Sequence, residues 1–137
     1  WPWFEICDRI CIDSTGLGIG WTDDAQDKFG EQRVEGVNFS GQVKEALAYP
    51  LKGAMEDRKV RIPEDAKIRA DLRKVQKLTT AAGNIRFVAE STPDGHADRF
   101  WALALALHAG SNPSAPIEFT SGGPRESSQS FSGFIHG

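Results

Sequence analysis

Apolar positions along this chain fall into short blocks whose spacing alternates between strand-like and helix-like. Arg9 to Ile12 is a short apolar run of the kind that forms a buried strand, and the glycines after it mark a turn from strand to helix. A helix over 20–29, ended by Gly30, comes next. Between Arg33 and Phe39 the residues Val34, Val37 and Phe39 recur in a strand-like way, and Ser40 is suited to cap a helix over 42–55. Pro50 falls inside that helix and predicts a kink or break. Lys59-Val60-Arg61-Ile62 alternates charged and apolar side chains, as an edge or half-buried strand closed by Pro63 would. Over 65–79, Ile68, Leu72 and Val75 are spaced by four and three, which predicts one buried face on an otherwise basic helix. A strand over 84–89 and a helix over 98–109 follow. That last helix is apolar on nearly every side, so Trp101, Leu103, Leu105 and Leu107 are expected in the core. Trp1 to Asp8 reads as irregular.

Strands and helices alternate through the chain, which predicts an α/β domain: a mixed sheet with helices packed on it. The length of 137 residues allows one domain with a real core. Residues 1–109 are expected to form it. Residues 110–137, rich in Ser, Gly and Pro with scattered Phe, are expected to be a flexible tail. The net charge of −3 excludes a uniformly basic nucleic-acid binder. Acids prevail up to Val43, however, while the segment from Lys44 to Arg86 is rich in Lys and Arg and could hold a polyanion. Lys67, Arg69, Arg73, Lys74 and Lys77 are its candidate phosphate contacts, against the plainer reading of a solvated helix face. Two cysteines, Cys7 and Cys11, are too few for a disulfide scaffold and lack a second Cys/His pair at zinc-site spacing. They are read as reduced structural thiols. No signal peptide and no apolar run of membrane-spanning length is present, so a soluble, intracellular protein is expected.

The chemistry concentrates in Pro93-Asp94-Gly95-His96-Ala97-Asp98-Arg99-Phe100-Trp101, where carboxylates and an imidazole open an apolar helix. Asp13, at the end of the first strand, could bring a second carboxylate from far upstream, and such a pair is what a divalent cation needs. Each acid also has a structural reading: Asp13 as the cap of its turn, Asp94 as a turn residue, Asp98 as a favourable charge at a helix start. His96 is equally a surface or cap residue, and His108 and His136 have no acidic sequence neighbours to single them out. Gly16-Leu17-Gly18-Ile19-Gly20 fails the spacing of a dinucleotide-binding fingerprint and is read as a tight turn that leaves Asp13 at the strand end. A Ser14 or Cys11 nucleophile with His96 as base lacks a third group to orient the base.

Taken together, ICIDSTGLGIG, the VNFS strand leading into a Lys-bearing helix, the VRIPED turn and DGHADRFWALALALHA resemble the C-terminal nuclease domain of phage terminase large subunits, most closely that of Mu-like phages and prophages. The resemblance covers Arg9 to Ala109. It implies an RNase H-like fold, related to Holliday-junction resolvases and retroviral integrases, with acidic residues that bind two Mg²⁺ or Mn²⁺ ions. By resemblance Asp13 is the second acidic position and Asp98 the last, in a His-x-Asp-Arg pattern, with Asp94 and His96 as auxiliary ligands. The family's first catalytic aspartate lies on an earlier strand that nothing before Arg9 supplies. The chain is therefore expected to be an RNase H-like domain lacking its first strand or strands, without its ATPase domain and with activity in isolation in doubt.

The function so implied is cleavage of concatemeric viral DNA during genome packaging in the host bacterial cytoplasm, by a two-metal mechanism. Double-stranded DNA, the terminase ATPase domain, the small terminase subunit and the portal are the expected partners in the intact motor. The alternative is a non-catalytic RNase H-like module that docks the motor on DNA or portal, its acidic residues serving as caps. A nucleotide-binding domain is disfavoured by the failed glycine spacing.

Overall fold

The computed structural model describes residues 2–90, 93 and 95–111; of the segment 110–137 expected as a tail, Gly110 and Ser111 instead close the last helix, and 112–137 lies outside the described residues, as does Asp94. The chain opens with a short helix, α1 (Pro2–Ile6), where irregular structure was expected. Proline suits the first position of a helix, having no N–H to leave unbonded. Long-range contacts then hold the turn in place: Arg33 donates from Nη2 to the carbonyls of Phe4 at 2.8 Å and Cys7 at 2.6 Å, and the Phe4 ring packs on Phe29 at 5.4 Å.

Strand β1 (Ile10–Asp13) runs parallel to β2 (Val34–Val37), with Ile10 opposite Val34 and Asp13 opposite Val37. Parallel neighbours need a crossover, and helix α2 (Gly18–Phe29) supplies it, packing back on both strands. Gly30, with φ of 89°, ends α2 as expected. Strand alternation divides the pair into two faces. Val34 and Gly36 turn to the α2 side with buried Ala25 and Thr22, whereas Cys11, Asp13, Glu35 and Val37 turn to the opposite side.

That opposite side is covered by helix α3 (Gly41–Glu56) and the last helix. Ser40 caps α3, accepting from Val43 N at 3.3 Å. The helix continues through Pro50 without the expected break. Proline removes one hydrogen bond, to the Ala46 carbonyl, but its ring is on the exposed side while Leu47, Ala48 and Leu51 are buried on the other, and their packing holds the helix together. Val37, Val43, Leu47 and Leu51 form the core with Ala104 and Leu105.

The middle of the chain departs from the sequence pattern. Lys59 to Ile62 forms no strand among the described residues; it finds no neighbour to pair with, and Ile62 stays exposed. The helix expected over 65–79 is shorter. Helix α4 (Ala66–Lys74) is capped by Asp65, whose Oδ1 accepts from Lys67 N at 2.8 Å and Ile68 N at 3.0 Å, and it stops where Val75 turns extended. The following residues form strand β3 (Gln76–Thr79), antiparallel to β4 (Ile85–Val88) in a separate two-stranded sheet. The hairpin is anchored to α3 by the Phe87 ring, edge-on to Tyr49 at 5.3 Å. The architecture is thus α/β as expected, with small sheets flanked by helices.

Helix α5 (Asp98–Ser111) completes the described fold, packing on α3, α4 and β1. Leu105 is buried, but Trp101, Leu103 and Leu107 are only half-buried and Ala102 and Ala106 face solvent, because alanine on the outward side needs no cover. Its start is fixed by a charge the helical pattern gave no reason to single out. Asp71 of α4 is buried to 1 % exposure, and its Oδ2 accepts from Arg99 N at 3.2 Å and Arg99 Nη1 at 3.1 Å, while Oδ1 lies 3.3 Å from Lys74 Nζ. Burial pushes the Asp71 carboxyl up, but the hydrogen bonds from Arg99 and Lys74 outweigh it, so it titrates below its ordinary value of 3.8. Because the folded pKa lies below the unfolded one, this contribution is complete above pH 3.8 and is lost as pH falls through the folded value. Asp71→Asn should lower unfolding stability at neutral pH by about 2 kcal/mol. It should also flatten the fall in stability below that pH, both read from urea unfolding across acid pH; an unchanged acid slope would remove Asp71 from this role.

Candidate functional site

The turn after β1 sets the first of the two predicted carboxylates. Asp13 ends the strand, and its Oδ1 accepts from Thr15 N at 2.9 Å, the local cap that its sequence position allowed. Thr15 in turn accepts from Phe39 N at 3.0 Å through Oγ1, tying this turn to the segment after β2. Gly18 passes so close to the end of the strand that a Cβ there would sit 1.9 Å from the Asp13 carbonyl oxygen. Only glycine permits this approach, which lets α2 begin directly behind Asp13.

The second carboxylate is set by the entry to α5. Gly95 has a φ of 108°, and a Cβ there would meet Asp98 Oδ2 at 2.5 Å. Ala97, wholly buried, takes a φ of 62°, which a residue with a side chain seldom adopts. Its carbonyl accepts from Phe100 N at 3.0 Å and Trp101 N at 3.3 Å, so the strained residue starts the helix. With Arg99 fixed on Asp71, His96 and Asp98 are left exposed on the other side of the helix start.

These elements meet in an open cleft of about 390 Å³ lined by Asp13, Phe39, Lys44, His96, Asp98, Trp101, Ala102 and Leu105. The structure therefore brings together Asp13, His96 and Asp98 from the two ends of the described chain. Asp94 lies outside the described residues. Lys44 is the cleft residue that the sequence did not single out. It sits in the first turn of α3, and its Nζ lies 5.6 Å over the Trp101 ring with no ion pair among the described residues. Its signal was the Ser40 cap, which places Lys44 one turn into a helix whose start adjoins the end of β2.

The basic candidates lie elsewhere; Lys67, Arg69, Arg73, Lys74 and Lys77 do not line this cleft. Lys67, Arg69 and Arg73 are exposed on α4, with Arg69 3.5 Å from Glu64. Lys74 is engaged by Asp71, and Lys77 is on β3 instead of a helix, its Nζ 5.2 Å over the Tyr49 ring.

The other end of α5 holds a group the sequence concealed. His108, set aside for want of acidic neighbours, lies beside Glu35 and Cys11. Arg9 forms an ion pair with Glu35, and Cys11 Sγ donates to Glu35 Oε2 at 3.7 Å. Burial, with Glu35 alongside, pushes the Cys11 thiol up to about 11, and burial pulls the His108 imidazole down. Both are neutral at pH 7.

No helix among the described residues is long and apolar enough to cross a membrane. A family model described as the terminase RNaseH-like domain matches residues 3–109. No curated protein matches the chain. Among solved structures it is similar to the nuclease domain of the large terminase of Thermus phage P74-26, with 30% sequence identity and a TM-score of 0.54, over 71% of this chain and 50% of that one. The chain thus spans about half the length of that domain. The RNase H-like fold implied by the sequence motifs is the fold these relationships support, and the chain belongs to the family of terminase RNaseH-like domains.

Proposed function

We propose that this chain is part of the metal-dependent endonuclease of a phage DNA-packaging terminase, of the kind carried by Mu-like phages and prophages. It would hydrolyse phosphodiester bonds of concatemeric viral DNA in the host bacterial cytoplasm, alongside the ATPase domain, small subunit and portal of the motor. The observation that carries this reading is the convergence of Asp13 and Asp98 in one cleft.

The donor set fits the ions such a fold uses. Two exposed carboxylates with an imidazole beside them are hard, mainly oxygen ligands suited to Mg²⁺ or Mn²⁺. Asp13 and Asp98 would hold two ions, with Asp94 and His96 as auxiliary ligands. When bound, such ions supply positive charge against the phosphoryl oxygens and acidify water to a nucleophile. The chain's own groups do the positioning. The Thr15 N–H fixes the orientation of the Asp13 carboxylate, and the bare Cα of Gly95 leaves room for that of Asp98. The Lys44 ammonium, held over Trp101, meets a phosphate entering between them. Lys67, Arg69, Arg73 and Lys77 would contact backbone phosphates without reading sequence, whereas Lys74 is held by Asp71.

A second reading is favoured by the bond from Thr15 N to Asp13, which is the capping role a non-catalytic DNA- or portal-docking module requires of that acid. DNA binding that persists in chelator, with no cleavage by the full-length protein in Mn²⁺, would decide for it.

Asp13→Asn and Asp98→Asn should each reduce Mn²⁺-dependent cleavage of plasmid DNA by the full-length protein to background with the fold retained by circular dichroism; cleavage retained in either variant removes that residue from the site. Gly95→Ala should displace the Asp98 carboxylate and cost about 1–2 kcal/mol, from positive φ and from the clash with Oδ2. Thermal unfolding and Mn²⁺ titration check it, and unaltered values in both would show that the entry to α5 has room to spare. Reversing charge at Lys67 and Arg73 should weaken DNA binding and lower the slope of log affinity against log salt by about 0.9 for each phosphate left unneutralised. An unchanged slope would return α4 to a solvated face.

A further inference from the structure

The end of α5 away from the acidic cleft carries a second set of ligand-bearing side chains, from three separate elements. Cys11 and Glu35 are partners across the parallel strand pair, on the same face, and His108 reaches them from α5. Cys11 Sγ lies 3.7 Å from Glu35 Oε2, and one ligand atom from each of the three residues falls within 4.8 Å of the other two. Tetrahedral zinc, with arms of about 2.3 Å to sulfur and about 2.0 Å to nitrogen or oxygen, separates its ligand atoms by roughly 3.3 to 3.6 Å. The ligand atoms therefore need to close by at most about 1.5 Å to hold an ion.

An independent observation points the same way. His108 Nε2 is buried with no hydrogen-bond partner among the described residues, a condition that native interiors avoid. An open cavity of about 270 Å³, lined by Arg9, Gln26 and Gly36 among others, borders Glu35 alone of the three ligands.

We propose that Cys11, Glu35 and His108 form a binding site for one divalent transition-metal ion, Zn²⁺ by the chemistry of its ligands. Thiolate, imidazole and a single carboxylate suit Zn²⁺ and do not suit Mg²⁺ or Ca²⁺. In the structure the thiol directs its proton at Glu35 Oε2; on binding, that proton passes to solvent and the ion joins sulfur, carboxylate and imidazole. Arg9 pairs with Glu35 and also hydrogen-bonds with Cys11, so it must give up the sulfur to the ion while staying on Glu35 as an outer partner, and its charge lowers the affinity by offsetting one anionic ligand. Sequence spacing could not reveal this site, because its ligands do not come in closely spaced pairs. It stands apart from the nuclease reading, since its ligands, its preferred ion and its spectroscopic signature all differ.

Co²⁺ substitutes for Zn²⁺ in such sites and reports a thiolate ligand by charge-transfer absorption in the near ultraviolet. The 137-residue chain, kept reduced and titrated with Co²⁺, should develop this absorption to one equivalent and lose it when Zn²⁺ is added. Cys11→Ser should abolish the band, and His108→Gln should weaken Co²⁺ binding at least about tenfold. Cys7→Ser and Asp13→Asn should leave the band intact. Absence of a charge-transfer band in the folded protein would overturn the site. So would a band that survives Cys11→Ser and disappears in Cys7→Ser, or Co²⁺ affinity unchanged in folded His108→Gln, which decides the matter should Cys11→Ser fail to fold.

Discussion

The buried carboxylate of Asp71 is the constraint on which the geometry of the acidic cleft depends. An aspartate at 1 % exposure persists as an anion only with bonds on both oxygens, and Arg99 and Lys74 provide them. Because one of those bonds comes from the backbone N–H of Arg99 and another from its guanidinium, Asp71 fixes both the position and the rotation of the first turn of α5. Asp98 precedes Arg99 and His96 lies two residues further back, so turning Arg99 toward α4 turns their side chains to the opposite, open side. The positive φ of Ala97 is tolerated in this setting, with the residue packed and the helix beyond it anchored.

The parallel strand pair supplies the matching half. In a pair with Asp13 opposite Val37 and Cys11 opposite Glu35, one strand face carries an acid at its open end and a thiol beside a carboxylate further inside. Helix α5 runs across that face in the opposite direction to β1, with Asp98 at the Asp13 end and His108 at the Cys11 end. One helix and one strand face thus carry exposed carboxylates at one end and a half-buried thiol, carboxylate and imidazole at the other. Burial separates the two ends: Asp13 and Asp98 are exposed, whereas burial at the inner end holds thiol and imidazole neutral.

What could be read from the sequence followed from local signals. Gly30 and the Ser40 cap marked the ends of their helices because each acts within a turn of its own position. The region from Lys59 to Thr79 departs from its sequence pattern for the converse reason. Ile68, Leu72 and Val75 do suit a helix, but Gln76 to Thr79 gain more by pairing with Ile85 to Val88 than by extending α4, and the register of that hairpin is not written within 65–79. Asp71 looked like one more surface charge, since nothing nearby in sequence announces Arg99 as its partner. Lys44 and His108 were hidden likewise, their surroundings being assembled from strands and helices far apart along the chain. The carboxylates of the cleft were legible because their residue types sit at element ends, where a turn or a helix start already marks the position.

The same long-range pairing changes how the chain can meet a polyanion. Nine Lys and Arg residues between Lys52 and Lys77 suggested a broad basic stripe, yet Lys74 is committed to Asp71, Lys52 to Glu56 at 2.6 Å and Lys59 to Asp57 at 3.0 Å, and Lys77 rests on Tyr49. The exposed pairs among these are weak and screened by salt, so a phosphate can compete for those lysines, but it cannot take Lys74 without stranding a buried carboxylate. The cations able to serve DNA without structural loss are therefore those on the outer side of α4, led by Lys67 and Arg73, and Lys44 in the cleft. That division reconciles a net charge of −3 with the phosphate-binding face proposed for α4. On the proposed nuclease function, α4 would hold the duplex by its backbone and Lys44 would meet the phosphate at the carboxylates.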